Sequence, residues 1–166
     1  MSLDEFAAGV KLSSELNLQD FVAEIVNARA GTDRYGRKVL KLYVKLDSSD
    51  DTYVVSLPPS LARDFARKAL EYGFKTVDEL KGTRWYFKRV NPKEVVGLEG
   101  HDRYVPLSFV CTREWLEKRY GDKPELGDAE VADIRRMCWG DTVNEWLRDN
   151  YIMVRQKGAI VYQRKK

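Results

Sequence analysis

The stretch Lys38-Val39-Leu40-Lys41-Leu42-Tyr43-Val44-Lys45-Leu46 alternates apolar and polar side chains at every position except Val39. Because a β-strand sends successive side chains to opposite faces, this pattern predicts a strand with one face in the core and one face in water. The aliphatic side chains from Leu40 to Leu46 share the core register. The wet register carries a base, a phenol and a base: Lys41, Tyr43 and Lys45.

The same arrangement recurs in the segment Arg84-Trp85-Tyr86-Phe87-Lys88-Arg89. Trp85 and Phe87 fall in one register, while the other holds Arg84, Tyr86 and Lys88. Cations for phosphates and flat rings for unstacked bases are what a protein offers to a nucleic-acid single strand. The two strands therefore predict a single-strand-binding face. An ordinary solvated sheet face of an unrelated α+β domain would show the same pattern and stays open as the alternative.

Composition limits the possible classes of protein. The chain has 166 residues, with 29 basic and 26 acidic side chains and a net charge of +3, so binding to a polyanion has to come from local clusters of charge. It has no apolar run near the roughly 18 residues of a membrane span and no signal-peptide layout at its N-terminus. We therefore expect a cytoplasmic, intracellular protein without membrane contact. Asn and Gln total only eight, a composition typical of heat-adapted proteins.

The residues that usually carry catalysis or bind metals are scarce. The chain has two cysteines, Cys111 and Cys138, and a single histidine, His101, which excludes a Cys/His zinc site and predicts buried free thiols. Phosphate-loop, dinucleotide-binding and HExxH motifs are absent. We expect no enzymatic activity, no cofactor and no metal. A two-metal nuclease assembled from scattered carboxylates is the alternative that the sequence leaves open.

The segment before the 38–46 strand should pair with it. Residues 21–30 have strand character, and a short polar turn bounded by glycines connects the two strands into a hairpin. The tip of that hairpin carries Arg34, Tyr35 and Arg37, so the basic and aromatic character of the wet face continues onto the loop.

The elements that follow have a recognisable order. They are a third strand at 52–57, a helix at 60–72 capped by Ser60, and strands at 84–89 and 103–110, the last at a sheet edge or with a bulge because of Pro106. After an N-terminal extension of residues 1–20, residues 21–111 resemble an OB-fold domain that binds single-stranded nucleic acid. The resemblance implies an α+β fold, a five-stranded barrel with one main helix between strands three and four. It also implies that oligonucleotides bind to the face of strands two and three and to the adjoining loops.

Residues 112–166 contain three short helical segments and a terminal hairpin. The hairpin should turn at Lys157-Gly158, with Val154 opposite Val161. This order resembles a small winged-helix domain, and an OB domain followed by a winged helix resembles the middle subunit of replication protein A. The resemblance implies a DNA-binding protein of replication, repair or recombination. The core of this domain should hold its three tryptophans, Trp115, Trp139 and Trp146.

Charge divides the 112–166 segment. From Thr112 to Asn150 there are seven basic and ten acidic residues, and the last helix offers Glu145 and Asp149, which suit major-groove insertion poorly. The terminal hairpin has five basic residues and no acid. If this domain contacts nucleic acid, its wing does so, and the helices pack internally or bind a protein partner. A solvated, frayed terminus is the alternative for the basic tail.

The sequence thus predicts a non-enzymatic protein that binds single-stranded nucleic acid. The alternative is a protein-interaction adaptor subunit of a nucleic-acid-processing complex. The candidate nucleic-acid-binding residues are Arg34, Tyr35, Arg37, Lys41, Tyr43, Lys45, Arg84, Tyr86, Lys88, Arg155 and Lys157.

Overall fold

A computed structural model of the protein describes residues 9–12, 16, 18–32, 35–90 and 103–165. Arg34, at the predicted hairpin tip, and His101, in the predicted loop, lie outside the described residues. The chain divides into two compact units, Met1–Leu107 and Ser108–Lys166. The described residues form an α+β protein with four α-helices and two β-sheets.

The first unit is built on a six-stranded sheet whose order is β1-β4-β3-β2-β5-β6. The five strands predicted in residues 21–111 are confirmed, whereas β1, within the predicted N-terminal extension, was not predicted. β2 extends two residues beyond its predicted end, because its hydrogen bonds with β3 continue to the start of the turn. The strands are β1 (Lys11–Leu12), β2 (Asp20–Thr32), β3 (Lys38–Leu46), β4 (Thr52–Leu57), β5 (Arg84–Val90) and β6 (Arg103–Phe109).

This sheet is open, so the predicted closed five-stranded barrel is not observed among the described residues. Closure would need β4 to pair with β6. The outer edge of β4 is instead occupied by β1, which runs parallel to it with Lys11 opposite Tyr53 and Leu12 opposite Val54. β6 forms the other edge of the sheet, which is where Pro106 was predicted to be tolerated.

A helix covers the apolar face of the sheet. α1 (Pro59–Glu71) packs on Trp85, which is fully buried, and the rings of Phe65 and Tyr72 lie 5.0 and 5.5 Å from the Trp85 ring. The prediction that Ser60 caps this helix is wrong, because the helix begins at Pro59 and its N-cap residue is Pro58. Proline suits the first helical position since its missing N–H has no partner to lose there.

The second unit contains three helices and a three-stranded sheet of order β7-β9-β8. The predicted helices and terminal hairpin are confirmed. Val154 lies opposite Val161, and the two turn residues, Lys157 and Gly158, have the positive φ angles of a tight hairpin turn. The elements are α2 (Arg113–Tyr120), β7 (Glu125–Gly127), α3 (Asp128–Met137), α4 (Thr142–Asn150), β8 (Tyr151–Gln156) and β9 (Ala159–Arg164); only β7 was not predicted.

Cys111 and Cys138 form a disulfide, with their Cα atoms 5.4 Å apart. Their predicted burial is confirmed, but the prediction of free thiols is wrong. A bridge between Phe109 and Cys138, and a 2.9 Å hydrogen bond from the Trp139 amide to the Phe109 carbonyl, align the chain before α2 with the end of α3. This alignment brings together two cysteines that are 27 positions apart in the sequence.

The tryptophans of the second unit differ in burial. Trp146 is buried and Trp115 is half-buried, with its ring 5.3 Å from that of Phe109. Trp139 is 42% exposed, so its predicted place in the core is wrong. It follows Cys138 in extended backbone, and the inward direction of the cysteine turns the next side chain outward.

Candidate nucleic-acid interface

The strand register brings the two predicted basic and aromatic rows onto one face of the first sheet. β2 lies between β3 and β5, and its Glu24 pairs with Lys45 on one side and with Arg84 on the other. Directly paired residues in antiparallel strands point to the same face. Tyr43 lies two residues from Lys45, and Tyr86 lies two residues from Arg84, so both tyrosines are on the same face as Glu24.

Acidic residues balance the β5 half of this face. Arg84 forms an ion pair with Asp47, and the Tyr86 hydroxyl donates to Asp20 at 2.7 Å. That hydrogen bond raises the pKa of Tyr86. Lys88 is exposed, but it pairs across the strands with the same Asp20. This half of the face therefore offers a phosphate group little net attraction.

Tyr43 is only 5% exposed, so its predicted exposure is wrong. The Arg29 guanidinium lies over its ring at 5.5 Å, and Val54 of β4, also buried, is its neighbour across the strands. A β-bulge explains why Tyr43 is buried and not exposed as predicted, since the pairing of β2 with β3 shifts between Ile25 and Asn27. One extra residue reverses the alternation beyond it, which moves Arg29 from the core register to the register of Tyr43.

The sequence of the hairpin formed by β2 and β3 is rich in basic residues, and we call residues 29–41 the basic arm. Tyr35 at its tip is 68% exposed, and the Arg37 guanidinium lies 5.4 Å from the centre of its ring. Arg29 pairs with Lys41 across the strands, and Thr32 pairs with Lys38. The basic arm contains one acidic residue, Asp33, and five basic residues: Arg29, Arg34, Arg37, Lys38 and Lys41.

Positive charge is concentrated in two hairpins. The basic arm has a net charge of +4 and residues 151–166 have a net charge of +5, whereas the whole chain has +3. The rest of the chain, with 19 basic and 25 acidic residues, is therefore net negative. A polyanion would meet attraction at these two hairpins and repulsion over much of the remaining surface.

The other predicted site residues are distributed over both units. Lys41 is half-buried, and Lys45 is exposed with its ammonium 3.8 Å from an Asp50 oxygen. Arg155 and Lys157 are exposed on the terminal hairpin of the second unit. Arg29 and Lys38 of the basic arm were missed by sequence reasoning. The net charge of residues 29–41 was the signal that could have revealed them.

No protein-family model and no curated protein matches this sequence. Within the described ranges, no group of three or more His, Cys, Asp or Glu side chains is placed to hold a metal ion. None of the helices in the described part of the chain is both long and apolar enough to cross a membrane.

Proposed function

We propose that this protein binds single-stranded nucleic acid, without catalysing a reaction, and that the basic arm is the main contact. The observation that carries the proposal is the position of an exposed ring, Tyr35, in a hairpin with a net charge of +4. Stacking on aromatic rings and attraction between cations and phosphates are the two contributions that single-strand binding combines.

The connectivity of the first unit supports this proposal. The order β4-β3-β2-β5-β6 is that of an OB barrel opened between its third and fifth strands. In OB domains the face of strands two and three and the adjoining loops bind oligonucleotides. Here β3 and β4 correspond to those strands, and the loop of the basic arm corresponds to the first of the binding loops. The order of helices and strands in the second unit, with a three-stranded sheet, is that of a winged helix, and both likenesses favour DNA metabolism as the setting.

Because Tyr43 is buried, it cannot stack on a base as expected, and the residues of this surface have different roles. Tyr35 provides the stacking ring, while Tyr43 supports the Arg29 guanidinium from below. Arg37 and Lys41, which share a register, contact phosphates on one face of the arm, and Lys38, in the opposite register of β3, contacts phosphates on the other face. The β5 residues contribute less, because nearby carboxylates balance their charge.

Titrations of the full-length protein with labelled oligo-dT, poly-U and duplex DNA test the proposal. Tyr35→Ala should weaken single-strand binding by roughly 1–3 kcal/mol through lost stacking, with the salt slope unchanged, whereas Tyr35→Phe should bind as the wild type. Lys38→Ala/Lys41→Ala should instead reduce the slope of log affinity against log salt, by about 0.7 per lost phosphate contact.

Arg63→Ala/Arg67→Ala is the matched control, because it removes the same charge from the exposed side of α1. It should leave the salt slope within error of the wild type. Tighter binding to duplex than to oligo-dT, or equal slopes in the arm variant and the wild type, would contradict the proposal. Binding to a protein partner that does not change with salt would favour the adaptor function instead.

A further inference from the structure

The second unit contains a cleft of about 750 Å³ that opens between α3, α4 and the terminal hairpin. Its lining combines two guanidinium groups, an amide, two phenol rings, a leucine side chain and a thioether. None of the described residues that line it is acidic. The residues that matter for its chemistry are Arg135, Asn144, Arg148, Met153 and Tyr162.

The two arginines come from different helices and are oriented toward the same cleft. Arg135 of α3 donates from Nε to the Asn144 side-chain oxygen at 2.9 Å. A guanidinium held through Nε keeps its two terminal nitrogens available in a fixed fork, which matches the oxygens of a phosphate. Arg148 follows Asn144 by one turn of α4, so it projects from the same side of that helix.

The acidic residues of α4 lie on a different side of the helix. Asp149 accepts a hydrogen bond from Arg113 of α2 at 2.7 Å, and Glu145 lies 3.6 Å from the same guanidinium. Arg113 therefore contacts both carboxylates, and its single charge balances one of their two negative charges. Arg148 is only loosely associated with Asp149, at 3.9 Å. Glu145 and Asp149 thus pair with Arg113 of α2, and neither of them lines the cleft.

The hairpin provides the opposite wall of the cleft. Met153 of β8 is 62% exposed and lies directly opposite Tyr162 of β9. Arg155 is the next residue of β8 in the same register, so a third cation continues the wall toward the turn. The floor is fixed by Tyr151, which is buried and donates its hydroxyl to backbone oxygens of Tyr120 or Lys123.

We propose that this cleft is a second binding site for single-stranded nucleic acid, separate from the basic arm. Arg135 and Arg148 hold consecutive phosphates, and a base released from stacking lies against Tyr162 and Met153. Positive charge on an acid-free lining selects a polyanion, and a ring beside the guanidiniums favours a nucleotide over an acidic peptide. The inference does not depend on the basic arm, and each site can be tested with the other intact.

Salt-dependent titration of the full-length protein with labelled oligo-dT tests the cleft. Arg135→Ala/Arg148→Ala should lower the slope of log affinity against log salt by about 1.4, which corresponds to two lost phosphate contacts on a single strand. The control is Lys118→Ala/Arg136→Ala, which removes the same charge from exposed positions that do not line the cleft. Arg136 is paired with Asp133, and the control should keep the wild-type slope.

Four proteins separate the two sites: the wild type, the arm variant Lys38→Ala/Lys41→Ala, the cleft variant, and their combination. Additive reductions of the slope show that the basic arm and the cleft each contact phosphates, which supports the inference. A cleft variant that binds oligo-dT like the wild type overturns this inference and leaves the basic arm untouched. A slope that falls only in the cleft variant supports the inference and overturns the assignment of the basic arm as the main contact. Loss of poly-glutamate binding with oligo-dT binding unchanged would show that the cleft takes an acidic protein, and would also overturn it.

Discussion

Loss of the Cys111–Cys138 disulfide should remove most of the stability of the second unit. The bond closes a loop over a sequence separation of 27, for which the chain-entropy relation gives roughly 3.5 kcal/mol. The unit contains the 59 residues from Ser108 to Lys166, and its unfolding entropy is about 0.12 kcal/mol/K. Dividing the two values gives a fall in Tm of roughly 25–30 °C where this unit melts as its own transition.

Urea denaturation followed by tryptophan fluorescence suits this test, since three of the four tryptophans belong to the second unit. The wild type should be compared with and without reductant, and with Cys111→Ala/Cys138→Ala, in which the bond cannot form. Reduced wild type and the double variant should both unfold at a much lower urea concentration. Two reactive thiols per chain in protein denatured without reductant would refute the reasoning, as would equal midpoints for oxidised and reduced protein.

Two further predictions concern stability. Tyr43→Ala should destabilise the protein by roughly 3 kcal/mol because the ring is buried, whereas Tyr35→Ala should stay within about 0.5 kcal/mol; equal urea midpoints for the two variants would show that Tyr43 is exposed in solution. Hydrogen bonds from Arg164, and then from Trp146, lower the pKa of Glu117, so its contribution is present above the ordinary glutamate pKa and is lost as the pH falls through the lower folded value. Glu117→Gln should therefore lower the free energy of unfolding by about 0.5–1 kcal/mol near neutral pH, a small amount because solvent screens this half-exposed pair. The difference in stability between variant and wild type should shrink below roughly pH 4. A difference that stays constant in acid would contradict the assignment.

Local patterns were enough to predict the longer strands and the turn of the terminal hairpin, but not the short strands β1 and β7. The alternation of residues 38–46 gave both ends of β3, because a period of two is compatible with a half-buried strand and with little else. A two-residue hairpin turn needs positive φ angles, which predicted the turn at Lys157-Gly158. The position of the turn then fixed the pairing of Val154 with Val161. These features depend on residues that are neighbours in the sequence, so the sequence by itself determined them.

Tertiary structure decided which side chains form the candidate sites. The bulge after Ile25 places the Arg29 guanidinium over the Tyr43 ring. The acidic residues Glu145 and Asp149 of α4 pair with Arg113 and do not line the cleft. The disulfide and the open edge of the sheet likewise arise from segments distant in the chain. Sequence periodicity reports the environment of each strand or helix separately. The register between strands and the choice of ion-pair partner depend on how separate elements pack, and no single segment encodes them.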